Sequence, residues 1–161
     1  MIYWVPIKNH SFYEPSEATE LRYKKIAKTI LEAALATDHS IFGQDNEIQT
    51  ALLMASIASY ESEFNRSVYR CKKGSPGKIS WGIFQVQGSK SKTCYDKKLG
   101  ASIALDIINK SFTECKYLPV LDRLSIYTDG RCHKDWMRSR TRVLRARNYY
   151  LKNLAPNLPT N

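Results

Sequence analysis

Two carboxylates stand where an apolar run stops. Ala51, Leu52, Leu53, Met54, Ala55, Ile57, Ala58 and Tyr60 leave almost no polar face, and Glu61-Ser62-Glu63-Phe64 follows directly. Good helix formers that are apolar nearly all round read as a buried helix. Glu61 is then an acid carried by a core helix to its C-terminal end. Burial strips water from the charged form of a carboxyl group, and the exposed carbonyls of a helix C-terminus disfavour a second negative charge. Both influences are expected to let Glu61 keep its proton to higher pH, as a general acid must. The plain alternative is a solvated carboxylate at a helix end, the ordinary place for one. After turn formers (Asn65, Ser67, Gly74, Ser75, Pro76, Gly77) comes Ser80-Trp81-Gly82-Ile83-Phe84-Gln85-Val86, which supplies aromatic, glycine and amide groups.

Three segments share a wider pattern. Tyr60-Glu61-Ser62-Glu63-Phe64-Asn65, then Gly82-Ile83-Phe84-Gln85-Val86, then Ile126-Tyr127-Thr128-Asp129-Gly130 resemble the three motifs of lytic transglycosylases and goose-type lysozymes. The resemblance spans about residues 46–150. It implies a lysozyme-like fold and cleavage of the β-1,4 bond between N-acetylmuramic acid and N-acetylglucosamine in peptidoglycan. It places the catalytic acid at Glu61 rather than Glu63, with Gln85 and Tyr127 at substrate-binding positions. Ser62, Trp81 and the backbone of Gly82 and Ile83 join them as sugar contacts, and Tyr127 is expected to donate a hydrogen bond to Glu61. Thr128 stands where the family usually has Asn.

In a transglycosylase one carboxyl group both donates and takes back a proton. In a hydrolytic muramidase a second carboxylate handles water. The candidates for it are Glu63, Asp96 and Asp129, none of them in a motif for that role, which favours the transglycosylase. No cofactor or metal is implied.

These residues need a scaffold. A helix is expected from Ser16, as N-cap, to about Thr37, with Leu21, Ile26, Ile30, Leu31, Ala34 and Leu35 inward. The apolar helix starts at Asp45 or Asn46. Further helices are expected at Leu99–Phe112, Leu118–Tyr127 (entered through Pro119, stopped by Gly130) and 134–154. The last would bury Trp136, Met137, Val143, Leu144, Tyr150 and Leu151. Residues 65–95 read as a long loop with one or two short strands at Ile79–Val86. Trp81 has a second reading there, closing the loop onto the domain, and Phe84 reads as core. Residues 1–16 form an aromatic arm, 155–161 a frayed tail, and His10, His39 and His133 surface or loop positions. The expected fold is one α+β domain, 1–161, predominantly helical, with about five helices and a small irregular or β segment.

The chain has 161 residues and a net charge of +10, divided as −2 over residues 1–60 and +12 over 61–161. Such a field draws polyanions: cell-wall polymer, an anionic surface or nucleic acid. The run Arg138-Ser139-Arg140-Thr141-Arg142, with Arg145, Arg147 and Lys152, raises a reading of another class, a nucleic-acid-binding helix. Its simpler counterpart is a solvated face, so nucleic acid is not an obligatory partner. No stretch is apolar enough to span a membrane. Met1–Lys8 does not read as a signal peptide, which implies delivery by a phage, release by a holin, or a leader already removed, with action in the periplasm or cell wall as a monomer. Four cysteines allow two disulfides in three connectivities, or free buried thiols. The local pairs Cys71–Cys94 and Cys115–Cys132 are expected, the first bracketing the Gly82–Val86 motif. The cysteine spacing does not suit zinc.

Overall fold

The computed structural model describes residues 1, 3–10, 14–36, 47–74 and 80–155. It is a predominantly helical α+β fold with a small two-stranded sheet, as the sequence implied. Four long helices carry it: α1 (Ser16–Leu35), α2 (Glu47–Ser62), α4 (Lys97–Glu114) and α6 (Met137–Asn153). The short α3 (Arg66–Tyr69) and α5 (Ser125–Asp129) complete the set among the described residues, with β1 (Ser80–Trp81) and β2 (Val86–Gln87) pairing antiparallel.

Helix α2 is the centre, packed between α1 and α6. Leu53, Met54, Ile57 and Ala58 are wholly buried. Burying each of the three large side chains contributes roughly 1.5–3 kcal/mol. Its expected cap, Asp45 or Asn46, lies outside the described residues, as do His39, Phe12, Tyr13 and 156–161.

The buried faces of α1 and α6 differ from those expected. Along α1 the inward residues are Thr19, Arg22, Tyr23, Ile26, Ile30 and Ala34, while Leu21, Leu31 and Leu35 are exposed. Along α6 the stripe is Ser139, Arg142, Val143 and Ala146, while Met137, Leu144 and Leu151 face outward. Both real stripes keep helical spacing, but small and cationic residues occupy places that large apolar ones were expected to fill. The reason for α6 is close approach: Ser56 Oγ on α2 donates to the Arg142 carbonyl at 2.8 Å. His10 also departs from expectation, being buried with its Nε2 2.9 Å from the Tyr23 hydroxyl. The aromatic arm does pack by its rings, Tyr3 and Trp4 each meeting Tyr149 edge-on at 5.4 Å.

The helix expected at Leu118–Tyr127 is broken into a 3₁₀ turn (Val120–Asp122) and α5. Side chains of α6 take over its backbone groups. Ser139 Oγ donates to the Leu121 carbonyl at 2.6 Å and accepts from the Leu124 amide at 3.2 Å. Asp122, with no exposed surface, receives two bonds from Arg140, at 2.7 and 3.1 Å. Both disulfides join as the local pairs, Cys71–Cys94 and Cys115–Cys132.

The Arg140 bonds hold the Asp122 carboxyl below its usual range. A depressed carboxylate stabilises the fold above its ordinary value near 4, and that stabilisation is lost as pH falls through the lower folded value. Asp122→Asn is expected to cost about 1–3 kcal/mol at pH 7, since Arg140 keeps partial solvent and Asp135 as a second partner. The gap between parent and variant in urea titrations should close progressively as pH falls from about 4 through the depressed Asp122 value, and a gap that does not narrow over that range would contradict this account.

Candidate active site

The C-terminus of α2 is ended by a tight bend. Glu63 and Phe64 both take left-handed backbone angles, φ 49° and 53°, a conformation costing of order 1 kcal/mol for each such residue. Phe64 offsets that cost. Its ring is fully buried and meets Tyr23 edge-on at 5.3 Å. Its carbonyl accepts from Arg22 Nε at 2.9 Å, and its amide donates to Ser62 Oγ at 3.3 Å. Ser62 Oγ in turn donates to the Ala58 carbonyl at 2.8 Å. The Ser and Phe of the first motif are therefore the parts that stop the helix and turn Glu61 outward.

Glu61 lines an open cleft of about 540 Å³ together with Tyr60, Ser62, Glu63, Asn65 and Gln85. Its side chain retains 24% exposure, and its Oε1 accepts from Arg142 Nη2 at 2.6 Å. Arg142 was not anticipated as a site residue. The guanidinium puts against the carboxyl group a positive charge that the sequence reading did not include. The clue lay in α6, where Ser139 and Ala146 flank Arg142 on one face at helical spacing and let the helix come close. Arg142 and Arg145 also lie over the Tyr60 ring, at 4.9 and 4.0 Å from its centroid.

The second motif forms the four-residue turn Gly82–Gln85 of the β1–β2 hairpin and the first residue of β2. Gly82 has φ 75°, and a Cβ there would lie 2.3 Å from the Thr93 carbonyl oxygen. Gln85 is also left-handed (φ 48°), and its Nε2 donates to the Gly82 carbonyl at 2.7 Å. Phe84 is core, as expected. Gly82 and Ile83 are buried and do not line the cleft. Trp81 is buried too, clustered with the Cys71–Cys94 disulfide, with the Lys90 ammonium 4.7 Å from its ring centroid. It fills the loop-closing role rather than offering a ring to a ligand in this cleft.

Tyr127 connects the third motif to the second. Its hydroxyl donates to the Phe84 carbonyl at 2.6 Å, not to Glu61 as expected. Burial pushes this phenol well above its ordinary value, and the nearby charge of Glu61 pushes the same way. Thr128 hydrogen-bonds within its own helix, to the Leu124 and Ser125 carbonyls.

Of the three candidates for a second carboxylate, Glu63 alone lines the cleft. Asp96 caps α4, accepting from the Leu99 amide at 2.9 Å. Asp129 pairs with His133 at 2.9 Å. Among the described residues no group of His, Cys, Asp and Glu could hold a metal ion.

Comparison of the chain with protein-family models, curated proteins and solved structures finds no match in any of the three.

Two substitutions test this account of the site. Gly82→Ala is expected to lose at least about 2 kcal/mol, from a left-handed Cβ driven against backbone. Tyr127→Phe strips the partner from the Phe84 carbonyl and should cost about 1–2 kcal/mol. Thermal melts read both, and an unchanged melting temperature in either variant would contradict the packing described.

Proposed function

We propose that the chain cleaves the β-1,4 bond between N-acetylmuramic acid and N-acetylglucosamine, as a lytic transglycosylase with Glu61 as acid and then base. The observation that carries the reading is the meeting of Glu61 and Gln85 in one open cleft. The Tyr127 hydroxyl, tied to the Gly82–Gln85 turn, holds that arrangement together. In the first half-reaction Glu61 gives its proton to the bridging oxygen as the bond from muramic acid C1 breaks. In the second, the carboxylate takes the proton of the muramyl 6-hydroxyl as that oxygen closes onto C1. No water is consumed. The ion pair with Arg142 suits the second half directly, and donation requires that Glu61 be protonated when the glycan is bound. Gln85 and the polar cleft wall would hold the sugar substituents, and the site of action would be the periplasm or cell wall.

A hydrolytic muramidase is the variant favoured by Glu63, which shares the cleft and could orient water. The nucleic-acid reading keeps less support. Arg140, Arg142 and Arg145 are engaged with Asp122, Glu61 and Ser59 inside the protein, leaving Arg138, Arg147 and Lys152 exposed on α6.

Purified protein is expected to clear a peptidoglycan suspension, and Glu61→Gln to lose at least about 100-fold of that rate while staying folded, with a melting temperature lowered because Arg142 loses its carboxylate partner. A Gln variant that clears at the parental rate would remove Glu61 from the chemistry. Mass spectra of the products separate the two reactions: anhydro-muramyl ends for the transglycosylase, reducing ends for the hydrolase.

A further inference from the structure

Beside the Glu61 cleft lies a second cavity of about 450 Å³ whose walls are cationic. Arg66, Arg70, Lys72 and Lys73 line it, against one carboxylate, Glu14. Glu14 is already neutralised from within. It is buried in an ion pair with Arg22, accepts from Thr19 Oγ1 at 2.9 Å, and lies 3.5 Å from Arg66. Arg70, Lys72 and Lys73 have no acidic partner among the described residues. The two cavities share Asn65 and Lys73 in their walls, so one ligand lying in the cleft reaches both.

The backbone that carries these cations is held in place. Cys71, between Arg70 and Lys72, has a left-handed backbone (φ 60°) and is bonded to Cys94. The amides of Lys72 and Lys73 both donate to the Ser67 carbonyl, at 2.8 and 3.2 Å. A bend anchored at its middle by a covalent bond presents its charges at low entropic cost, unlike lysines on a free loop.

We propose that this lobe binds the free carboxylates of the short peptide carried by the muramic acid residue that occupies the neighbouring cleft. The proposal rests on the glycan-cleaving reading and adds a substrate preference to it: strands bearing peptides over bare glycan. A peptide rooted on the sugar at the cleft is carried to the shared Asn65–Lys73 wall. Its carboxylates suit point-charge lysines and an arginine fork. The contacts are partly solvated, so the preference weakens with added salt.

The test compares peptide-bearing peptidoglycan with the same glycan stripped of peptides by an amidase, for the parent and for Arg70→Gln/Lys72→Gln. It also measures binding of a soluble muramyl peptide by calorimetry. The parent should cut peptide-bearing strands with a kcat/KM about tenfold higher, the size expected from one or two charge-assisted contacts. The double variant should lose that advantage through KM and cut bare glycan at the parental rate. Equal cutting of both substrates by the parent, or equal losses on both in the variant, would overturn the proposal. If the parent cuts neither substrate, the catalytic reading fails and calorimetry decides the lobe alone. Muramyl-peptide binding weakened about tenfold in the variant supports it, and no binding, or tighter binding of a phosphodiester polymer, overturns it.

Discussion

The end of α2 is the constraint on which the site depends. A helix buried on every side over residues 53–59 has no solvated face there to relax into, so its last turn is stopped by neighbours rather than by fraying. Phe64 supplies the stop. Its ring is driven into the core, its carbonyl is held by Arg22, and its amide returns to Ser62. Two consecutive left-handed residues are the local cost. Such strain persists only where surrounding structure over-determines it, and here the result is that Glu61 leaves the core at one defined point.

The hairpin opposite Glu61 is held by a similar excess of restraint. Two strands of two residues each do not stand alone in water. The turn between them is fixed from below by Thr93 against Gly82, from the side by the Tyr127 hydroxyl, and at its base by Trp81 on the Cys71–Cys94 disulfide. Most of the motif residues thus support the cleft from behind rather than line it. The groups left to face a ligand include Glu61, Glu63, Asn65, Lys73, Gln85 and the rim of Tyr60.

The high positive charge divides into two kinds. Part of it is structural, spent on buried or half-buried carboxylates: Arg22 on Glu14, Arg140 on Asp122, Arg142 on Glu61. Removing one partner of such a pair leaves a charge without compensation, which is why each pair resists substitution more than a surface bridge does. A further part, at Arg70, Lys72 and Lys73, lies where a ligand rather than the protein can answer it.

The helical α+β class, the burial of α2 with Glu61 at its end, the small hairpin and the two local disulfides were all legible in the sequence, because periodicity, glycine placement and cysteine spacing are local properties of the chain. Pattern could not reveal which face of α1 and α6 turns inward, since close helix approach favoured Ser139, Arg142 and Ala146 over larger apolar neighbours. It could not find Arg142 on Glu61, Tyr127 on Phe84 or Asp122 on Arg140, each a contact between residues 18 to 81 positions apart. The chain's local chemistry determined where an acid would emerge from the core. Only the packing of α6 against α2 decided that this acid would meet a guanidinium when it got there.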